Sequence, residues 1–371
     1  MKNISALYIL LFVSFFGFSQ DYQFKTIVDL DATDVISQGS TGTCWSFSAS
    51  SFLESEIIRL TGKQIDLSEM YSVRQTYSDK AWNYVMRQGK AQFSQGGLAH
   101  DVINSISKNG IVPNNVFSGL KKNEEKHNHS KLADSIKTIL TTYLKDEKKY
   151  DGNWKTDVEN TLDYYLGDKV ISFNYEGVKY TPQSFLEMTK INPKDYVTIT
   201  SFTHQPYYTN FILNIPDNFS NGSFYNVPLN DLMSTVDYAL KNGFTIELDC
   251  DVSEKTFSSK HGIAVVPDDK DNINALVNIM PEKKITPEYR QQEFENFNTT
   301  DDHLMHIVGL LKDQNGNTFY KVKNSWVNKN VGNEGFINMS EAYMKHKAIS
   351  IMVHKDAIPE AIKAKINLTL N

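Results

Sequence analysis

The sequence predicts an α+β protein of two lobes: a helical lobe first, an antiparallel β lobe last, and a helix-rich insertion between them. Three observations predict it. From residue 44 to residue 110 apolar positions recur at helical spacing, and the runs stop at glycines. Residues 121–195 are charged and helix-rich. Beyond residue 241 the pattern changes to short strand-like stretches. The boundaries fall at 20–120 for the helical lobe, 121–240 for the insertion, and 241–371 for the β lobe with a C-terminal helix and a short tail.

The first twenty residues, "MKNISALYILLFVSFFGFSQ", stand apart. Lys2 precedes an apolar stretch from Ala6 to Phe16, and Gly17 and Ser19 fit a small-x-small cleavage site. This reads as a signal peptide over 1–19, a mature start at Gln20, and a periplasmic or secreted protein. The stretch is short for a membrane anchor, and no run past residue 20 is long and apolar enough to span a bilayer.

The first helix is expected over 44–60, where Trp45, Phe47, Phe52, Ile57 and Leu60 are apolar and Thr61-Gly62 ends the run. "DLSEMYSVRQTYSDKAWNYVMRQG" reads as a second helix and "LAHDVINSISKNG" as a third, closed by Gly110. "IVPNNVF" is a turn. "KTILTTYLKDEKKY" is the clearest helix of the insertion, residues 196–230 read as loop and strand, and "LNDLMSTVDYALKNG" is amphipathic. The strands expected after it are "FTIEL", "LMHIVGLL", "TFYKVKNSW", "EGFINM" and "AISIMVH".

A net charge of −6 with no basic stripe argues against nucleic acid as a partner. Two cysteines, Cys44 and Cys250, form at most one bridge, a poor framework for 371 residues. Cys250 follows the alternation of Phe244, Ile246 and Leu248 and reads as a small packed residue at a strand end. "HNHS" at 127–130 offers two histidines to a metal, but such a pair in a charged loop is expected in solvent, so no metal is assigned. The N-x-S/T sites at Asn218 and Asn367 carry no weight by themselves.

Cys44 is different. It follows the Gly/Ser/Thr-rich turn "QGSTGT" and opens a helix. A disulfide half, a buried thiol and a nucleophile are the possible readings. A helix N-terminus favours the thiolate, which is the nucleophilic form. A nucleophilic thiol also needs a base, a group that orients the base, and donors for a developing oxyanion. Gln38 can supply a side-chain N–H and Cys44 its own backbone N–H. "DDHLMHIVGL" offers His303 and His306 as bases. Strand alternation puts His303 on the face of Met305 and Ile307, and His306 on the face of Leu304 and Val308. "KNSW" supplies Asn324 to hold an imidazole and Trp326 to shield that bond from water.

The motifs "QGSTGTCWSF", "HLMHIVG" and "KNSW", in the chain order Gln, Cys, His, Asn, resemble those of the papain-like cysteine peptidases. In that family the catalytic histidine lies six residues before a glycine on the same strand, a spacing that His303 and Gly309 have. The resemblance therefore implies Cys44 as nucleophile, His303 as base, Asn324 as its orienting residue, Gln38 in the oxyanion hole and Trp326 beside them. It makes Gly96 and Gly97 of "SQGGLAHDV" the pair that binds substrate backbone. It also implies the papain-like fold, peptide or protein substrates, and no cofactor.

Within that superfamily the chain is similar to bleomycin hydrolase and bacterial aminopeptidase C, through "GGLAHDVINSISKNGIVPNNVF", "LDCDVSEKTF" and "VHKDAIPEAIKAKI". That likeness implies an aminopeptidase and a ring of six subunits. The tail "NLTLN" does not align with the arm that carries those enzymes' C-terminal carboxylate into the cleft, so an endopeptidase with an open cleft is the alternative. A non-catalytic binding protein on the same fold and an acyltransferase using the same thioester are further rivals.

Overall fold

The computed structural model describes residues 21–121, 124–326 and 331–368. The expected signal peptide over 1–19 and the Asn371 carboxylate lie outside the described residues. The chain begins with strand β1 (Phe24–Asp29), followed by helices α1 (Cys44–Thr61), α2 (Glu69–Met86) and α3 (Ala99–Asn109). All three helices match the expected runs. Gly62 ends α1 in the left-handed region at φ 70°, with its N–H on Ile58 O, and Gly110 closes α3 at φ 72°. Ser68 caps α2 by accepting the Tyr71 N–H.

The middle of the chain supplies α4 (Ser130–Lys145), α5 (Trp154–Leu166), a small hairpin of β2 (Phe173–Tyr175) and β3 (Val178–Tyr180), and α6 (Pro182–Thr189). Three strands follow, β4 (Tyr196–Thr200), β5 (Thr209–Ile212) and β6 (Ser223–Asn226), then α7 (Leu229–Lys241). The last third contains β7 (Ile246–Cys250), β8 (Phe257–Ser258), β9 (Ile263–Ala264), α8 (Pro287–Glu295), β10 (His303–Asp313), β11 (Thr318–Lys323), β12 (Phe336–Ser340), α9 (Glu341–Lys347), β13 (Ala348–His354) and α10 (Glu360–Lys365). α8 and α9 interrupt a segment read as strands. Thr286 caps one and Ser340 the other, a local signal that outweighs the surrounding alternation.

One large mixed sheet runs in the order β5-β6-β4-β13-β7-β10-β11-β12-β9-β8, with β1 added against β10. Its central pairs, β7–β10, β7–β13 and β10–β11, are antiparallel, as expected for the last third. Two of the sequence boundaries do not coincide with packing. β1, in the segment assigned to the helical lobe, pairs antiparallel with β10 from Phe24↔Asp313 to Asp29↔Gly309. β4 and β6, from the insertion, extend the sheet beyond β13. Such non-local pairings leave no mark in local periodicity.

The sheet has two buried faces. On one, α1 lies across β10 and β7: Ser48 Oγ donates to Met305 O at 2.7 Å, and Ser51 Oγ meets His306 Nδ1 at 2.9 Å. On the other, α7 packs Leu232, Val236 and Ala239 onto Ile246, Leu248, Met305 and Ile307. Ile362 and Ile366 at the C-terminal end join that second face, as does the half-buried Leu368. Alternation along β10 thus separates His306 from Met305 and Ile307, as expected from sequence. Among the described residues no helix is long and apolar enough to cross a membrane.

Candidate active site

Cys44 is the first residue of α1, so its backbone N–H has no intrahelical acceptor and stays free to donate. The side chain is 8 % exposed and both cysteines are free thiols, which removes the disulfide reading. Trp45 fixes the turn from behind: its Nε1–H donates to Gln95 O at 3.0 Å, and the Gly42 N–H donates to Gln95 Oε1 at 2.8 Å. Gly96 and Gly97 follow immediately. A Cβ on Gly97 would sit 3.1 Å from the Trp45 ring, a tight contact, so glycine lets the backbone strip lie this close to the Cys44 turn without displacing the indole.

His303 begins β10 and is 3 % exposed. Its Nε2 lies 2.8 Å from Asn324 Oδ1, just beyond the end of β11. The neighbouring Ser325 N–H donates to the same Oδ1 at 2.7 Å. That second bond identifies the Asn324 atom as oxygen, so the His303 nitrogen facing it must carry the proton. The tautomer follows: Nε2 is N–H and Nδ1 is a bare acceptor. Trp326 stacks on the imidazole with ring centroids 4.4 Å apart and planes at 26°, covering the bond.

Gln38 is 7 % exposed and is tied to the same loop. Its N–H donates to Ser325 O at 3.0 Å, and its Oε1 accepts from Ser325 Oγ. Its Nε2 gives one hydrogen to Thr41 O at 2.7 Å, which leaves the other available. The turn after it rests on the 127–129 segment, where the Ser40 N–H donates to His127 O at 2.8 Å. Gly39, at φ +67°, comes so close that a Cβ would fall 2.6 Å from that oxygen. The pair expected in solvent is therefore structural: His129 is 3 % exposed, and His127 packs edge-on against Phe47 at 6.2 Å.

Electrostatics depart from the sequence expectation at Cys44. Burial pushes the thiol up to about 12, with Asp217 and Asp301 adding to the rise and the backbone at Leu304 and Trp45 opposing it. The helix end is worth ~0.3–2 kcal/mol. The rise from 9.0 corresponds to about 4 kcal/mol. Burial wins. It likewise pushes the His303 imidazole down to about 4, against the Asn324 hydrogen bond. Burial thus favours the neutral form of both groups.

His306 is wholly buried, bonded to Ser51 and edge-on to Phe52 at 6.0 Å. Cys250 is also wholly buried and packs among Ile351, Tyr343 and Leu248, the bland role expected of it. Sequence reasoning missed Ser325, which links Gln38 to the Asn324 loop, and Gln95, which pins the glycine strip. It also missed Lys80, whose ammonium donates to Gly96 O, and Asp217 on the β5–β6 loop. Ser325 and Gln95 adjoin recognised motifs and were within reach; Lys80 and Asp217 carry no local signal.

A thiol at a helix start, an imidazole held by an amide, and donors around both define a peptidase of the cysteine type. The profile of the Peptidase C1-like family matches residues 17–370, and the chain belongs to that family. It is 24 % identical to Cysteine proteinase 1, mitochondrial, of Saccharomyces cerevisiae, covering 92 % of this chain and 79 % of that one. It is 23 % identical to Aminopeptidase C of Listeria innocua (87 % and 80 % covered) and 24 % identical to Aminopeptidase G of Lactobacillus delbrueckii subsp. lactis (88 % and 82 %). The fold is similar to the crystal structure of PepW from Lactobacillus rhamnosis, with a TM-score of 0.72 at 18 % identity over 93 % of this chain and 85 % of that one.

Proposed function

We propose that the chain is an exported cysteine aminopeptidase in which Cys44, His303, Asn324 and Gln38 carry the reaction. The observation that carries the reading is the fixed tautomer of His303. With Nε2–H held by Asn324, Nδ1 is the atom that accepts the Cys44 proton. The thiolate sulfur attacks the peptide carbonyl, and the oxyanion takes the free Gln38 Nε2–H and the Cys44 N–H. The imidazolium gives its proton to the leaving amine as the C–N bond breaks, which leaves a thioester. Water, deprotonated by the same nitrogen, attacks the thioester and releases the acid and the thiol. Trp326 keeps the His303–Asn324 bond dry while the ring charge changes.

The names of the Listeria and Lactobacillus relatives support aminopeptidase action, and the leader-like residues 1–19 support export. The test compares peptide amides with free and acetylated N-termini. Free ones should be cut at least ten times faster, and equal rates would make the enzyme an endopeptidase. Gln38→Ala should lower kcat by about 10²–10³-fold, the usual loss of one oxyanion donor, with KM little changed. A loss confined to KM would show that Gln38 only shapes the turn.

A further inference from the structure

A cavity of about 340 Å³ lies where the 127–129 segment enters α4. The backbone of this segment is committed to the Gln38 turn: the Ser40 N–H donates to His127 O at 2.8 Å, and the His129 N–H donates to Ser40 O at 3.4 Å. The rings are not so committed. His129 is 3 % exposed and lines the cavity, yet neither of its ring nitrogens has a hydrogen-bond partner. His127 lines it too, and its Nδ1 is buried without a partner. Buried ring nitrogens of this kind call for a partner.

The helix that starts here adds donors. His129 stands at the cap position of α4 but makes no side-chain bond to the helix, and the first turn has no acidic residue. The Ser130 N–H goes to Asn128 Oδ1 at 3.2 Å. The N–H groups of Lys131 and Leu132 have no acceptor among the described residues. An open helix start attracts anions. Lys121 and Lys131 line the same cavity. The Lys121 ammonium rests over the Tyr164 and Tyr165 rings, at 3.8 and 4.6 Å, rather than on a carboxylate. Glu124 is the one carboxylate among the described lining residues, and its Oε2 accepts the Lys121 N–H at 3.2 Å.

We propose that this cavity binds a phosphate-type oxyanion, free or as a monoester, between the His129 ring, the α4 N-terminus and the two lysines, and that the bound anion steadies the Gln38 turn. A tetrahedral oxyanion presents several acceptor oxygens, which suits ring, backbone and ammonium donors converging from three sides. Burial pushes the His129 imidazole down to about 4, and the neutral ring still donates one N–H. Two histidines would also suit a metal ion, but two ammonium groups line this cavity. Among the described residues, the cluster with metal-ligand spacing is elsewhere, at Glu54, Asp66 and Glu69. Tyr164 and Tyr165 line the same cavity and offer a surface to the organic part of a monoester. An anion bonded to the His129 ring holds the segment on which Ser40 rests, and so favours the arrangement that places Gln38.

Isothermal titration calorimetry on the purified protein tests the site with inorganic phosphate and with phenyl phosphate, at an ionic strength fixed by sodium chloride. Each should bind once per chain. Tighter binding of phenyl phosphate would assign the site to monoesters, and binding no tighter would assign it to the free anion. The double variant Lys121→Gln/Lys131→Gln should weaken binding at least tenfold, and so should His129→Phe, with the thermal midpoint as a control for folding. The lysine variant keeps the test open if His129→Phe fails to fold. In the wild type, kcat on a peptide amide should rise along the phosphate binding curve; in the lysine variant it should stay flat over that range. No saturable binding, or binding unchanged in the lysine variant, would overturn the site. Saturable binding of zinc chloride in place of phosphate would make it a metal centre and would also overturn it. A flat kcat in the wild type would overturn the coupling to the turn. The calorimetry needs no turnover, so the site stands or falls separately from the aminopeptidase reading.

Discussion

Replacing His303 with alanine should lower kcat/KM by about 10³- to 10⁴-fold, the scale on which a single general base contributes. His306→Ala should leave kcat within a few-fold. The two residues stand three apart on β10, but His303 is the one whose ring is oriented by the Asn324 amide oxygen, which leaves its Nδ1 as an acceptor. His306 faces Ser51 beneath α1. Its loss should instead lower stability by about 1–3 kcal/mol, through one broken hydrogen bond and a cavity. Steady-state kinetics and urea unfolding on both variants separate the roles, and the reverse pattern would move the base to His306. The pH profile follows from the same residue. Because burial holds His303 near 4, the ring stays an acceptor down to that value. Activity should therefore hold from neutral pH to about pH 5 and fall below it as Nδ1 takes a proton from solvent. A decline beginning near pH 6.5 would mean that the ring is not buried in the working enzyme.

Cys44→Ala should abolish turnover altogether, since no other thiol can form the thioester. The far-ultraviolet circular dichroism spectrum should stay that of the parent, because the side chain makes no hydrogen bond that builds α1. In the native protein iodoacetamide should place one carboxamidomethyl group, on Cys44, and inactivate in proportion. Cys250 is fully buried, with its Sγ 3.3 Å from Asp251 O, and should label only in denaturant. The Cys44 rate should drop by an order of magnitude or more in His303→Ala, because burial alone leaves the thiol protonated. Equal labelling of both cysteines in folded protein would defeat the assignment.

Much of this was legible without coordinates because it is written locally. The run from Cys44 to Leu60, its stop at Gly62, the alternation through His303 to Leu311 and the turn at Gln38 each depend on neighbours a few residues apart. Backbone geometry and side-chain period act at that range. The motif order Gln38, Cys44, His303, Asn324 then brought the chemistry into view, since each residue type has one evident task beside a thiol.

Other features depended on segments that meet only in the folded chain. β1 joins β10 across most of the sequence. The 127–129 segment props the Gln38 turn, and His129 is buried there, although the composition reads as solvent-facing. Asp217 reaches Gly96 from a loop whose contact with Gln92 spans 125 residues. The direction of the Cys44 shift also reversed, for a physical reason. A helix terminus can be read from sequence, whereas desolvation depends on everything packed around the thiol, and for the buried Cys44 it is the larger effect. The sequence by itself determined the order of the elements and the identity of the reactive groups. Tertiary structure alone decided how deeply those groups are buried, and which distant segments pack around them.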